Sequence, residues 1–370
     1  MKWKVPYTDF AAQYLRQKTD FLNQFDKVML NGSFILRDDV TKFEKNIARY
    51  LGVKYVIGLN SGTDALLLSL GCLGIKKHSE IISVAHTHIA TLAAIKHIGC
   101  EPKLVDITED FNINVKDIEK KITNKTKVIV PVHMNGRSCE MDKIVKIAKK
   151  HNLLIVEDAA QSLGAKFNGK RIGTFGIAGA FSLHPLKSLG CAGDGGFVAT
   201  NSKQIAEKLK RLRNHGQKKR NEVSHFGFCS RLDNLQAALV NVKFKTYKKQ
   251  INTRRNISKI YGKLLKGLPI RLPEFNDKRY FDTYNSYVIR TKKQKRLYNY
   301  LLKNKVEVFI HWSRPWYSFK GLKMHNISLK KTEIFCKEMI SLPIYPDLNI
   351  KKVHYVAKVI QKFFKKENEK

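Results

Sequence analysis

The chain has 370 residues, of which 43% are hydrophobic, and this is enough for a large core and long for one compact domain. Its 69 Lys and Arg residues outnumber 31 Asp and Glu residues, which gives a formal net charge of +38. The basic residues are spread along the chain without a separate tail or arm. They therefore indicate solvated faces rather than a dedicated nucleic-acid or membrane partner.

Targeting and membrane-spanning segments are not apparent. The N-terminus, MKWKVPYTDFAAQYL, begins basic but has no apolar stretch behind it, so we expect no signal peptide. No run of about 18 apolar residues occurs, which predicts no membrane span. The 6 cysteines are dispersed without a CxxC pair, as suits a reducing compartment. We expect a cytoplasmic protein without a metal, since His86 and His88 form only an isolated HxH pair.

Short apolar runs alternate with helix-like stretches between residues 54 and 200. The runs predict strands at 54–59, 80–84, 103–107, 127–134, 153–158, 179–183 and 196–200. Helices are predicted after residue 60 and over 89–98. Continuous β-branched runs separated by helices are typical of a mostly parallel sheet that is buried on both faces. Ligands of such α/β folds bind at the carboxyl ends of the strands.

Helical patterns dominate after residue 202. A basic helix is predicted from residue 203, and one long helical tract over 233–268. The remainder mixes a strand over 284–291 with helices over 295–305 and 351–366. We therefore predict a large domain over 1–245, which includes an N-terminal segment, and a smaller C-terminal α/β domain over 246–370.

The segment NSGTDA, residues 60–65, lies between a predicted strand and a predicted helix. A turn of small residues that opens a helix directs free backbone N–H groups to one place, where the helix dipole favours a phosphate. Ser and Thr also cap ordinary helices. Taken alone, the segment leaves both interpretations open.

A carboxylate and a lysine stand at two other strand ends. Glu157 and Asp158 end the aliphatic run LLIV, where a carboxylate can pair with a protonated ring nitrogen or simply cap the next helix. Lys187 lies in FSLHPLKSLGCAGDGG, between a proline and a glycine-rich turn. A lysine confined in a partly apolar site can stay neutral and form a Schiff base, whereas an ordinary loop lysine faces water.

The glycines at 193–196 form a tight turn that brings backbone close to Lys187 or to a ligand. They are not a dinucleotide-binding motif, because a strand rather than a helix follows them. A phosphate seat, a strand-end carboxylate and a confined lysine, in this order on one sheet, are the three groups that pyridoxal phosphate requires.

The chain resembles the DegT/DnrJ/StrS family of sugar aminotransferases nearly from end to end. The matching motifs are VPYTDFAAQY at the start, NGSFIL at 31–36, NSGTDAL at 60–66, EDAAQSLGA at 157–165, FSLHPLKSLGCAGDGG, RNHG at 213–216, SRLDNLQAA at 230–238 and SLPIYP at 341–346. The resemblance implies the aspartate-aminotransferase-like fold (PLP fold type I) and a homodimer. It also implies amine transfer, usually from glutamate, to a 3- or 4-keto sugar linked to a nucleoside diphosphate, in the synthesis of a surface polysaccharide.

The resemblance also assigns expected roles to individual residues. Lys187 matches the catalytic Schiff-base lysine, Asp158 the partner of the pyridine nitrogen, and Gln161 the hydrogen-bond donor to the phenolic oxygen. The phosphate positions correspond to Gly62, Thr63 and Ser182. His88 occupies the place of an aromatic ring that stacks on the cofactor, and His311 that of a histidine near the sugar.

Two positions depart from the family pattern. Cys229 stands where an Asn usually reaches the phosphate of the partner subunit, and a thiol is only a weak donor, which puts that contact in doubt. His184 stands where many members have Phe or Tyr, and a packing role is expected for it more than a catalytic one.

Three alternatives remain open at this stage. Dehydratase relatives of the same fold carry a histidine in place of the lysine, so Lys187 argues against them. A regulatory relative without catalysis is disfavoured by the intact lysine, carboxylate and phosphate seat. A basic nucleic-acid-binding protein would need a basic face with interleaved aromatic residues, and no such motif is recognised in the sequence.

Overall fold

A computed structural model of the chain describes residues 3–273 and 276–368. The predicted domain limits at residues 1 and 370 lie outside the described residues. The α-helices within the described part are α1 (Phe10–Arg16), α2 (Lys18–Leu30), α3 (Asp38–Leu51), α4 (Gly62–Gly71), α5 (Ile89–His97), α6 (Val115–Lys121), α7 (Met141–Lys150), α8 (Lys203–Leu212), α9 (Asn234–Lys245), α10 (Tyr247–Leu265), α11 (Gln294–Lys303), α12 (Lys330–Cys336) and α13 (Ile350–Asn368). None of them is long and apolar enough to cross a bilayer.

The strands follow the same chain order. They are β1 (Tyr55–Leu59), β2 (Glu80–Val84), β3 (Glu101–Val105), β4 (Thr126–Ile129), β5 (Leu154–Asp158), β6 (Lys166–Phe167), β7 (Lys170–Arg171), β8 (Ala178–Ser182), β9 (Gly196–Thr200), β10 (Gln217–Lys219), β11 (Glu222–Val223), β12 (Tyr280–Phe281), β13 (Tyr287–Arg290) and β14 (Met339–Leu342).

The main sheet has seven strands in the order β1-β9-β8-β5-β4-β2-β3. Strand β9 is antiparallel to both of its neighbours, and the other pairs are parallel, which confirms the mostly parallel α/β sheet. Successive residues of a strand pack into different cores. Val156 and Val198 pack with α4, α5 and α8, whereas Ile155 and Phe197 pack with α3, α7 and α9. The sheet is therefore buried on both faces.

Two predicted elements end earlier or break. The strand predicted over 127–134 ends at Ile129, because Pro131 has no N–H to donate to a ladder. Residues Met134–Gly136 then form a 3₁₀ turn, with Asn135 at a φ of 59°. The helical tract predicted over 233–268 is two helices. Thr246, a β-branched residue with φ −106° and ψ 4°, separates α9 from α10.

A second core lies under the C-terminal helices and the β13–β14 pair. Tyr261 of α10, Leu297 of α11 and Val356 of α13 pack there together with Val5 from the N-terminal segment. Within α10, Tyr247 belongs to the core of the main sheet, whereas Tyr261 belongs to this second core. The division at 245/246 stays a prediction, and the change of core occurs inside α10.

The turn Met134–Gly136 connects the main sheet to the segment 282–286. The Thr283 N–H donates to the Gly136 carbonyl at 2.8 Å. Gly136 has a φ of 92°, and a Cβ there would lie 2.6 Å from the Tyr284 nitrogen and 2.7 Å from the Asn285 nitrogen. Only glycine allows this conformation and this close approach.

We predict that Gly136→Ala lowers the free energy of unfolding by more than about 2 kcal/mol, because the new Cβ adds a collision to left-handed strain. Gly169→Ala is the matched control, since Gly169 also has a positive φ of 77° but open space around its Cβ position. Its loss should stay within about 1–2 kcal/mol. Urea unfolding of both variants measures the difference, and equal losses would contradict the role given to the contact.

Candidate active site

All eight residues expected to form the site line one cavity of about 330 Å³ beyond the carboxyl ends of the sheet strands. They are Gly62, Thr63, His88, Asp158, Gln161, Ser182, Lys187 and His311. Residues that were not predicted complete the wall, among them Tyr7, Thr91, Asn285 and Trp312. The structure thus brings together residues from both ends of the chain, and their roles remain proposals.

The start of α4 forms one wall of the cavity. Ser61 caps the helix, and its Oγ accepts a hydrogen bond from the Asp64 nitrogen at 3.0 Å. A Cβ on Gly62 would lie 2.6 Å from the Ser182 Cβ, so glycine alone permits this packing of α4 on the end of β8. The capping and phosphate interpretations are compatible. The first-turn N–H groups lack intrahelical partners, and the helix dipole favours an anion beside Gly62 and Thr63.

Asp158 ends β5, and only 4% of its surface is exposed. Its Oδ2 accepts a hydrogen bond from the Thr91 hydroxyl at 2.8 Å, and the Thr91 hydroxyl lies 2.8 Å from that of Thr87. Its Oδ1 accepts from the Ala160 nitrogen at 3.2 Å. These contacts fix the carboxylate against the cavity. Our sequence analysis missed both threonines, although their four-residue spacing at the start of α5 was the available signal.

The neighbouring Glu157 faces the opposite side of the sheet, because side chains alternate along a strand. Its carboxylate is fully buried and accepts from the nitrogens of Gly173, Phe175 and Gly176. His133 Nε2 lies 3.1 Å from it. Glu157 is therefore a structural anchor, and Asp158 alone of the pair faces the cavity.

Lys187 lies in the turn after β8, and its amine has no hydrogen-bond acceptor among the described residues. Burial lowers the pKa of Lys187, and the charge of Asp158 opposes this change in part. The turn itself is held firmly. The Ser188 nitrogen donates to Asn285 Oδ1 at 3.0 Å, and the Lys243 amine donates to the Gly190 carbonyl at 2.6 Å. A lowered pKa and the lack of a partner leave a reactive amine.

Aromatic and amide groups complete the wall. The Tyr7 hydroxyl lies 3.1 Å from His311 Nε2, and burial, followed by the charge of Lys187, lowers the pKa of His311 to about 4. Gln161 Oε1 accepts from the Asn135 nitrogen at 3.0 Å, and one N–H of its amide donates weakly to Met134 Sδ at 4.0 Å, which leaves its second N–H for a ligand. His86 instead stacks on Phe111, with 5.2 Å between the ring centroids. Of the two histidines in the HxH pair, His86 therefore packs against an aromatic ring and His88 lines the cavity.

Cys229 does not line the cavity described by one chain. It is exposed, and its Sγ accepts from Arg231 Nη2 at 3.1 Å. The adjacent segment carries Phe226, whose side chain is completely exposed. The prediction that Cys229 weakens the contact with a partner subunit therefore stays untested.

Comparison with known proteins identifies the family. The model of the DegT/DnrJ/EryC1/StrS aminotransferase family matches residues 16–361. The pleiotropic regulatory protein of Geobacillus stearothermophilus is 36% identical over 368 residues, which cover 98% of this chain and 99% of that protein. The dTDP-3-amino-3,6-dideoxy-alpha-D-galactopyranose transaminase of Aneurinibacillus thermoaerophilus is 36% identical over 361 residues, which cover 97% of this chain and 99% of that enzyme.

A solved structure gives the same result. The crystal structure of S. venezuelae DesV in complex with a ketimine intermediate has a TM-score of 0.95 and 32% sequence identity. The alignment covers 98% of this chain and 99% of that chain. The resemblance found in the sequence is thereby confirmed over the whole fold. The chain belongs to the DegT/DnrJ/EryC1/StrS aminotransferase family.

Proposed function

We propose that this protein is a pyridoxal-phosphate-dependent aminotransferase that moves the amine of glutamate to a nucleoside-diphosphate-linked keto sugar, for a surface polysaccharide. The observation on which this rests is that Lys187, Asp158 and the start of α4 share one cavity. A keto group at sugar position 3 is favoured by the name of the Aneurinibacillus relative, which specifies a 3-amino sugar. A cytoplasmic location is part of the proposal, supported by free cysteines at 72, 100, 139, 191, 229 and 336.

The cavity fits each part of pyridoxal phosphate. The amine of Lys187, which has no hydrogen-bond partner within residues 3–273 and 276–368, suits the aldehyde, and the carboxylate of Asp158 suits the pyridine nitrogen. The start of α4, with Gly62 and Thr63, suits the phosphate, and Gln161 offers one N–H group to the phenolic oxygen. When bound, the cofactor supplies a ring that accepts electrons from the carbon losing a proton.

The residues of the chain then have separate tasks. Because burial lowers its pKa, the Lys187 Nζ is a base that takes a proton from the α-carbon of the amino-acid donor. The protonated amine then gives up this proton within the same half-reaction. Asp158, held by Thr91, keeps a negative charge in a fixed place beside the ring nitrogen. The ring of Trp312 and the Tyr7–His311 pair offer flat and polar surfaces to a sugar. The net charge of +38 attracts the diphosphate.

A regulatory role without catalysis is favoured by one observation, the name of the Geobacillus relative. The alternative would leave the low-pKa amine of Lys187 and the anchored carboxylate of Asp158 without a task. A dehydratase is disfavoured by the lysine itself. Binding of nucleic acid through the basic surface remains the remote alternative, and a salt-dependent shift of random DNA would support it.

A homodimer belongs to the same proposal. Apolar side chains on α1 and α2 are exposed, among them Phe10, Leu22, Phe25 and Leu30. Phe10, Leu22 and Phe25 border a groove of about 540 Å³ that also includes Pro185, two residues before Lys187. A second copy of the chain placed there would cover the apolar surface and lie beside the cavity.

We expect the protein mixed with pyridoxal phosphate to show an absorbance band at the edge of the visible range. Borohydride should trap the label on Lys187, and glutamate should bleach the untrapped band. Lys187→Ala should lose the trapped label, whereas Lys166→Ala, at a half-buried lysine of β6 outside the cavity, should keep it on Lys187. An absent band, or label scattered over surface lysines, would leave the regulatory role as the better explanation.

We expect Asp158→Asn to slow the glutamate half-reaction at least about 100-fold, because it removes a charge aimed at the developing transition state. Its unfolding free energy should change little. Glu157→Gln should do the opposite and destabilise the fold by about 1–3 kcal/mol, since its amide N–H₂ opposes three backbone donors. Stopped-flow absorbance measures the rate of the half-reaction, and urea unfolding measures the stability of each variant. If both variants lost rate and stability to the same extent, the separate roles given to Asp158 and Glu157 would be refuted.

Leu22→Glu should shift the protein from dimer to monomer, because it places a charge in the apolar surface of α2. Ile334→Glu is the control, since Ile334 is equally exposed on α12, away from that surface. Light scattering coupled to size exclusion measures the mass of each variant. A Leu22→Glu protein that keeps the mass of the wild type would place the interface elsewhere.

A further inference from the structure

The cavity wall carries two imidazole rings that are fixed in the same way. His88 Nδ1 accepts a hydrogen bond from the Ala90 nitrogen at 3.2 Å. His184 Nδ1 accepts from the Leu186 nitrogen, also at 3.2 Å. A ring nitrogen that accepts a backbone N–H cannot itself carry a proton, so each neutral ring carries its proton on Nε2. Both rings are thereby the same tautomer.

The Nε2–H groups of these rings are free to bind a ligand. Neither has a hydrogen-bond partner among the described residues, and both side chains line the cavity while remaining partly open to solvent. Burial and then the charge of Lys187 lower the pKa of His88 and of His184, although carboxylates nearby oppose this in part. Both rings thus stay neutral and keep their Nε2–H donors near neutral pH.

Both rings line the same cavity as the amine that is expected to react. The backbone nitrogen of Lys187 donates to the backbone carbonyl of His184 at 2.8 Å, so the two residues share one turn. The charge of Lys187 acts on both rings, and His184 acts in turn on His88. His88 also caps α5, so the positive end of that helix dipole lies behind its ring.

The cavity is otherwise poor in groups that bind a carboxylate. Among the described residues that line it, Lys187 is the only lysine or arginine. An amino-acid donor carries its α-carboxylate on the same carbon whose proton Lys187 is proposed to take. Within one chain, the donors that line the cavity with this lysine include two imidazole N–H groups, those of His88 and His184.

We propose that the Nε2–H groups of His88 and His184 bind the α-carboxylate of the amino-acid donor and so select an amino acid over a simple amine. This inference rests on the proposed aminotransferase function. It is compatible with stacking of His88 on the cofactor, because stacking uses the face of the ring and the carboxylate uses its edge. His184 thereby becomes a specificity residue rather than a packing group.

The test uses the protein loaded with pyridoxal phosphate and titrated with glutarate, a dicarboxylate that resembles glutamate but has no amine to react. His184→Phe keeps a ring and removes the donor, and it should raise the Kd of glutarate about tenfold. His88→Phe should act similarly but also loses the cap of α5. In His184→Gln an amide N–H replaces the Nε2–H, and tight binding should be partly restored.

The glutamate half-reaction gives a second readout. In His184→Phe the KM for glutamate should rise while kcat changes much less, because the lost hydrogen bond holds the substrate equally in the ground state and in the transition state. His354→Phe, an exposed histidine on α13, is the matched control and should behave as the wild type.

The outcomes separate the two proposals. A wild-type protein that shows no cofactor band fails at loading and refutes the aminotransferase function. A loaded wild type that does not bind glutarate, or a His184→Phe variant with unchanged Kd, overturns the imidazole pair alone.

Discussion

The site depends on one buried negative charge, the carboxylate of Asp158 at the end of β5. A charge in such a place is unfavourable unless hydrogen bonds hold it. The Thr91 hydroxyl and the Ala160 nitrogen supply these bonds, and Thr87 orients Thr91 in turn. The same charge acts on Lys187 across the cavity and limits how far burial lowers the pKa of the amine. Under the proposed function, removal of the carboxylate would therefore change both the group beside the ring nitrogen and the basicity of Lys187.

The turn that carries Lys187 is the second constraint. It is fastened from three directions, by Asn285 of the segment 282–286, by Lys243 of α9 and by Tyr247, whose hydroxyl lies 2.7 Å from the Ser188 hydroxyl. A flexible lysine can bind a cofactor, but a fixed turn also keeps the amine within reach of the carbon that loses its proton. The attachment at Asn285 extends this control to the C-terminal part of the chain.

The sequence predicted the parts of this arrangement that depend on local pattern. Apolar runs located the strands of the main sheet, and the strand-end Asp158, the glycine at 62 and the boxed Lys187 all line one cavity as expected. What was missed depends on distant contacts. Tyr7 and Asn285 line the cavity although they lie far apart in the chain, and no local sequence pattern predicts their position there. The split at Thr246 was missed because the apolar spacing continues across it, and the start of α10 still packs in the same core as α9.

The antiparallel strand β9 has a consequence for how the site forms. It lies between β1 and β8, so the start of α4 meets Ser182 only after the chain as far as residue 200 has joined the sheet. Contacts that span so much sequence form slowly, because loop closure comes before any gain from pairing. A nascent chain shorter than this contains α4, where the anion is proposed to bind, but not the end of β8 packed against α4. Under the proposed function, uptake of the cofactor would thus report that the sheet is complete, and the bound cofactor would stabilise the finished fold over its precursors.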